Sequence, residues 1–442
     1  MTKRFFIETF GCQMNELDSE KIAGNLIHGG MTPAPDALQA DVIIFNTCAV
    51  REKAVQKVYA RLGEIKGRKA KKNMVVGVVG CMAQLENEKI LKKAPFVNVL
   101  AGPQKGNVMC ELIDRTLTTH ATAIELRKDE NPEPLETPYV FRENSWRANV
   151  TISEGCNCRC AFCVVPFTRG RERSRESESI IREVKELSTR GFVEIVLLGQ
   201  TVNSYCDPRS KEITFTRLLR ELSQLKGIER IRFASPHPNN LDDDLLKAMV
   251  ECPQICNQIH MPLQSGSTRI LQKMRRGYTR EQYLEKIGKI HMAARPIAIS
   301  TDIIVGFPGE TERDFQDTLT LLDEVQYDYA FSFKYSARPN TEALAFQDDV
   351  PQEEKGTRLR ILQEHQRLIQ YNKNSAYLDQ EVEILVDDRA KSRYTLSGRT
   401  TNNKVVNFDG PESLLGRIVS VKITGFSANS LKGVWLQKEQ AP

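Results

Sequence analysis

Cys156-Asn157-Cys158-Arg159-Cys160-Ala161-Phe162-Cys163 holds four of the chain's eleven cysteines. Taken as Cys156, Cys160 and Cys163, the spacing is C-x3-C-x2-C. Soft thiolates favour iron–sulfur or zinc over magnesium or calcium. Three thiolates can hold three irons of a cubane cluster and leave the fourth iron open to a substrate or cofactor. Zinc calls for a fourth protein ligand. The six histidines of the chain offer no H-x3-H partner near the loop. Cys158 could add a thiolate, but cysteines one residue apart seldom reach one metal together. It is expected to be idle.

The loop follows Ala148 to Ile152, which reads as a strand. Further strand patterns run from Val193 to Leu198, Arg230 to Ala234, Gln258 to Met261, Ala298 to Val305 and Tyr329 to Tyr335. Helical patterns lie between them, at 180–189, 216–225, 242–250, 281–293 and 312–325. Such alternation argues for parallel strands in a partial barrel of six, whose C-terminal face carries the chemistry. The cysteine loop falls on that face.

Upstream, strands are expected at Arg4 to Thr9, Asp41 to Phe45 and Met74 to Val79, with helices at 16–26, 49–65 and 84–93. Cys12, Cys48 and Cys81 each sit where one of these strands ends and a helix begins. The carboxyl ends of an open parallel sheet share one edge, where ligands bind. Three thiols distant in sequence should therefore meet in one crevice as a second metal site. The plainer alternative is three small core residues, common for lone cysteines. Downstream of a helix near Gln352 to Tyr371, Glu381 to Val386, Val405 to Phe408 and Arg417 to Ile423 alternate as short strands. They suggest a small antiparallel β-barrel. The expected class is α/β with domains at 1–124, 148–372 and 374–438, and a charged, proline-rich linker at 125–147.

The chain has 442 residues, too many for one core. No apolar run approaches the 18 or so residues needed to span a bilayer. The start lacks a secretory pattern, so a cytoplasmic protein without a membrane partner is expected. In a reducing compartment eleven cysteines point to metal or catalysis before disulfides. Net charge is +5, which permits a nucleic-acid partner without demanding one. Residues 51–72 and 389–438 each carry nine Lys/Arg against two Asp/Glu. Arg169, Arg171, Arg173 and Arg175 follow the cysteine loop, and all three basic tracts suit phosphate contacts.

The cysteine loop after the first strand of a partial barrel resembles the signature of radical S-adenosylmethionine enzymes. Cys12, Cys48 and Cys81, with the C-terminal barrel, narrow the resemblance to methylthiotransferases. It extends over Thr9-Phe10-Gly11-Cys12-Gln13-Met14-Asn15, Asn46-Thr47-Cys48-Ala49-Val50-Arg51, the run from Val164 to Arg175, and Thr301-Asp302-Ile303-Ile304-Val305-Gly306-Phe307-Pro308-Gly309-Glu310-Thr311. The family resemblance implies two 4Fe–4S clusters, one on Cys156, Cys160 and Cys163 and an auxiliary one on Cys12, Cys48 and Cys81. It implies S-adenosylmethionine on the first, as source of a 5′-deoxyadenosyl radical, and on the second a sulfur that becomes methylated. The C-terminal barrel would be a TRAM domain. The branch resembled acts on C2 of N6-dimethylallyladenosine beside the tRNA anticodon. An unactivated C–H bond of that kind needs a cofactor radical.

The same resemblance implies a flavodoxin- or ferredoxin-like electron donor, a sulfur donor and a monomer. Gly199, Gln200, Ser235 and Gln264, at strand ends of the productive face, are candidate S-adenosylmethionine contacts. The chain departs from the family at Cys158 and at Thr201, where Asn is usual. Alternatives are a methylthiotransferase acting on threonylcarbamoyladenosine or a ribosomal-protein aspartate, and a non-catalytic, zinc-stabilised RNA-binding protein.

Overall fold

A computed structural model describes residues 2–50, 52–69, 74–126, 135–136, 138–390 and 393–437. Part of the expected linker (127–134 and 137) lies outside the described residues, as do parts of the basic tracts (51, 70–73, 391–392 and 438). Among the described residues no helix is long and apolar enough to cross a membrane.

Val42–Thr47 and Val75–Val79 are buried at every position, as parallel strands covered on both faces should be. They join a parallel sheet ordered Thr32–Pro33, Arg4–Phe10, Val42–Thr47, Val75–Val79, Val99–Ala101, Ala123–Glu125. The chain moves first to one side of Arg4–Phe10 and then to the other. That reversal opens a crevice at the carboxyl ends of the central strands. The helix Gln13–His28 and the helix Glu52–Lys69 follow the first two central strands; the second buries Ala54, Val58, Leu62 and Ile65. Val99–Ala101 and Ala123–Glu125 were not expected, because three-residue strands carry no readable periodicity, and the eleven-residue helix Met109–Thr119 between them was not expected either. The helix expected at 84–93 is two, Cys81–Glu86 and Lys89–Lys93, separated at Asn87 with φ +54°.

The central domain contains the six expected parallel strands. Arg147–Thr151, Glu194–Leu198 and Arg230–Phe233 form one sheet, and Gln258–His260, Ala298–Val305 and Tyr329–Lys334 another. A parallel bridge between Ile231 and Ile255 connects them. Val150, Ile195, Leu197, Ile231, Ile259 and Ile303 share one core with helix residues such as Ile180, Val184, Leu218 and Leu245. Successive strand residues face opposite ways. Val196 and Leu198 therefore turn away from that core, and pack on Met14 and Leu17 of the N-terminal helix. Burying two such side chains is worth about 1.5–3 kcal/mol each, so the N-terminal domain is held against the barrel.

The helix Gln352–Ser375 leads to a closed five-stranded barrel ordered Glu381–Arg389, Leu396–Arg399, Val405–Phe408, Leu431–Trp435, Ile418–Phe426. It is antiparallel except where Val405–Phe408 meets Leu431–Trp435. Leu396–Arg399 and Leu431–Trp435 were not anticipated. The barrel is anchored by two arginines of a central strand. Arg230 Nη1 donates to the Arg399 carbonyl at 2.6 Å, and Arg232 Nη2 to that of Thr400 at 2.7 Å. Arg232 Nε also pairs with buried Glu194 at 2.9 Å.

Removing one partner of a buried pair strands the other charge, at a cost of about 3–5 kcal/mol. Arg232→Met should lower the urea midpoint accordingly and expose the C-terminal barrel to limited proteolysis. Arg232→Met with Glu194→Leu should recover most of the loss. A single variant as stable as the wild type would contradict this account.

Candidate functional site

Cys12 precedes the helix Gln13–His28, Cys48 directly follows the strand Val42–Thr47, and Cys81 opens the helix after Gly80. Gly80 has φ +91°, and a Cβ there would stand 2.4 Å from Asn46 Oδ1. The tight turn into Cys81 therefore calls for glycine. Cys12 reaches solvent, whereas Cys48 and Cys81 are buried. The Cys48 thiol hydrogen-bonds Cys12 and, with Arg169 adding positive charge, pulls it down to about 5. As donor in the same pair, Cys48 is pushed well above the ordinary thiol range. Burial raises Cys81, whose surroundings include Cys12 and Arg169. The three thiols are thus neighbours.

Two asparagines place Cys12. Asn15 Oδ1 accepts from the Cys12 N–H at 3.4 Å and from its Sγ at 3.3 Å. Asn15 Nδ2 donates to Asn46 Oδ1 at 3.1 Å, and Asn46 returns a bond to the Asn15 carbonyl at 2.9 Å. Both are fully buried. The spacing of Cys12 and Asn15 is that of a capping box, with Cys and Asn in place of the usual Ser/Thr and Glu/Gln.

In the barrel loop, the Cys158 N–H donates to Cys156 Sγ at 3.3 Å, and the Cys158 thiol contacts the same sulfur. That thiol, followed by Thr201, lowers Cys156 to about 6. Thr201 Oγ1 lies 3.4 Å from Cys156 Sγ. Cys158 thus lies against Cys156, the residue expected to be the ligand. Burial pushes Cys163 up to about 12. Arg276, itself buried, donates from Nη1 to Cys160 Sγ at 3.3 Å and from Nη2 to the Pro262 carbonyl at 3.0 Å. Neither Thr201 nor Arg276 was assigned a part from sequence. Arg276 lies in a run of basic residues that reads as solvated surface.

Of the candidate S-adenosylmethionine contacts, Gln200 turns its side chain to the Gly155 N–H and so holds the entry to the cysteine loop. Gly199 packs against Ser153, where a Cβ would meet Oγ at 2.4 Å. Ser235 (φ +58°) and Gln264 (φ +74°) are non-glycine residues in the left-handed region. Such strain persists where surrounding structure enforces it, and clusters at functional sites. Gln264 also bridges Ile303 in the neighbouring strand. Beside it, His260 Nε2 lies 3.1 Å from Asp302 Oδ2.

The two cysteine groups face one another across the domain junction. Ala49, Cys81 and Val164 form a small core. Arg338 Nη2 donates to the Val50 carbonyl at 3.1 Å. The arginines after the loop do not act together as phosphate contacts. Arg169 and Arg175 are buried: Arg169 meets Asp18 and Glu154, and Arg175 meets Glu183 and the Thr151 carbonyl. Arg173 pairs with Glu154 at 3.4 Å, and Arg171 is exposed. Among the basic tracts, Lys404 is buried against Asp328, while Lys53, Lys57, Lys66, Arg417 and Lys422 remain exposed.

Among the described residues no set of three His, Cys, Asp or Glu side chains stands closed around a metal position. The donor chemistry nevertheless suits iron–sulfur groups. Each trio is all thiol, and N–H donors point at three sulfurs: Val50 to Cys48 at 3.3 Å, Cys158 to Cys156 and Arg276 to Cys160. Hydrogen bonds to sulfur and limited solvent access tune such groups.

Residues 4–102 match the model of Uncharacterized protein family UPF0004, residues 150–322 that of the Radical SAM superfamily, and residues 376–436 that of the TRAM domain. The chain is 47% identical over 435 residues to the tRNA-2-methylthio-N(6)-dimethylallyladenosine synthase of Clostridium novyi, covering 98% of this chain and 96% of that one. It is 44% identical over 435 residues to the enzyme of the same name from Koribacter versatilis, covering 98% of each. Among solved structures, its fold is similar to that of the radical S-adenosylmethionine methyltransferase TsrM from Kitasatospora setae. The TM-score there is 0.55 at 14% identity, over 77% of this chain and 75% of that one. Near-complete coverage at this identity carries the conclusion that the chain belongs to the radical S-adenosylmethionine methylthiotransferase family, among the tRNA-2-methylthio-N(6)-dimethylallyladenosine synthases.

Proposed function

We propose that this chain converts N6-dimethylallyladenosine beside the tRNA anticodon to its 2-methylthio derivative. What carries the reading is near-full-length identity of 44–47% to synthases of that product, joined to two all-thiol trios at the carboxyl ends of parallel strands. In this reading Cys156, Cys160 and Cys163 hold one 4Fe–4S cluster with S-adenosylmethionine, and Cys12, Cys48 and Cys81 hold an auxiliary one. The bound groups supply one-electron chemistry strong enough for an aromatic C–H bond, together with the sulfur and its methyl group.

The protein's own residues do the rest. Asn15 and Asn46 fix Cys12, and Thr201, Cys158 and Arg276 donate to sulfur on the barrel side. Gly199, Ser235 and Gln264 bring strand ends close to S-adenosylmethionine, while Gln200 holds the loop. Exposed cations on Glu52–Lys69 and on the C-terminal barrel meet RNA phosphates, leaving the base to be unstacked into the crevice. The domains are 1–124, 148–372 and 374–438 with a linker at 125–147. The enzyme acts as a cytoplasmic monomer fed by a flavodoxin- or ferredoxin-like reductant and a sulfur donor.

Anaerobic turnover with S-adenosylmethionine, reductant and tRNA lacking the methylthio group should yield the methylthio nucleoside by mass spectrometry. A fully iron-loaded protein that makes none would refute the substrate. A colourless preparation holding only zinc would refute the enzyme reading altogether.

Cys156→Ala, Cys160→Ala and Cys163→Ala should each bring deoxyadenosine formation to background. Cys158→Ala should retain most of it, since the Cys158 backbone N–H still serves Cys156; a dead variant would make Cys158 a ligand. Thr201→Val, which removes a partner behind a ligand, should lower the rate by about 10–100-fold. An unchanged rate would show that the Thr201 hydroxyl is dispensable.

A further inference from the structure

We infer that Arg169 is the positioning residue that ties the two cysteine groups together and holds positive charge against the thiols of Cys12 and Cys81. The inference rests on the reading that Cys12, Cys48 and Cys81 hold a cluster.

Arg169 ends the short helix Val165–Thr168, which begins two residues after Cys163. Its side chain is 3% exposed and crosses the domain junction. Nη2 meets Asp18 Oδ2 at 2.5 Å, on the helix that starts beside Cys12. Nη1 meets Glu154 Oε1 at 2.5 Å, two residues before Cys156. The Arg169 carbonyl accepts from Gln104 Nε2 of the N-terminal domain at 3.2 Å. One side chain thus joins a carboxylate beside each cysteine group. The same guanidinium lies within electrostatic reach of Cys81 and Cys12.

The fork geometry explains the residue type. A guanidinium presents five donors in one plane. Two carboxylates occupy one donor each in the contacts above, which leaves donors for sulfur. Lysine has three donors on a point charge and cannot span the same distances. A trio of thiolates in a buried site is costly without a nearby cation, because low dielectric strengthens every charge interaction. Arg169 supplies that cation. The charge should also favour the more electron-rich state of whatever those sulfurs hold, raising its reduction potential. A phosphate-binding role is excluded by burial and by two carboxylate partners.

The test uses the full chain with Cys156, Cys160 and Cys163 all changed to Ala, so that only the N-terminal trio can hold iron. After anaerobic reconstitution this parent should retain about half the wild-type iron and sulfide, as expected for one of two like clusters. Arg169→Met in that parent should bind several-fold less iron, or hold iron that titrates at lower potential by EPR-monitored redox titration. Arg169→Lys should restore part of the potential.

Stranding two buried carboxylates could unfold the Met variant. A companion with Asp18→Asn and Glu154→Gln added removes that burden, and its potential should lie below that of a reference that carries the same two changes and keeps Arg169. Iron content and potential equal to the parent's in the Met variant, or to that reference's in the folded companion, would overturn the inference. A parent that binds no iron at all would overturn the N-terminal cluster reading, and this inference with it.

Discussion

Parallel strands end on one edge, and everything in this protein's chemistry depends on that constraint. The backbone of a βαβ unit delivers each strand's carboxyl end to the same side, whatever its position in the chain. Cys12, Cys48 and Cys81 lie far apart in sequence, yet strand pairing from Phe5 with Val42 through Asn46 with Val79 aligns their turns. The barrel repeats the device: Cys156 follows Arg147–Thr151, and Thr201 follows Glu194–Leu198, the strand paired with it. The contact between Thr201 and Cys156 is a consequence of that register.

Buried charge then joins what the sheets have built separately. Arg142 pairs with Glu20 at 3.0 Å and Glu183 at 2.9 Å, one from each domain. Arg169 joins Asp18 to Glu154, and Arg232 joins Glu194 to the backbone of the C-terminal barrel. A buried ion pair contributes little net stability against apolar residues of the same shape, but it is costly to misalign. Such pairs therefore suit a protein whose domains must meet in one register. Apolar contact, as between Leu17 and Leu198, supplies area without that selectivity.

Much of this was legible in the chain. The strand expected at Ala298 to Val305 and the helix at 312–325 match the structure at both ends. Both have strong periodicity, and the helix carries a capping box at Thr311 and Asp314. Short strands such as Val99–Ala101 and Leu431–Trp435 were missed, because a few residues cannot display a period. The arginines from Arg169 to Arg175 read as a cationic patch. Only the fold reveals that Arg169 faces Asp18, 151 positions earlier.

By itself the sequence determined the six cysteines, their soft donor chemistry, and their places at the ends of strands. Those follow from local pattern and from the geometry of parallel sheets, which holds regardless of the rest of the chain. Tertiary structure decided which groups serve those sulfurs. Asn46 reaches Asn15, Arg276 reaches Cys160, and Arg169 leaves the barrel for Cys81 and Asp18. Hydrogen bonds and ion pairs act over a few ångströms in space, and separation along the chain carries no record of that distance.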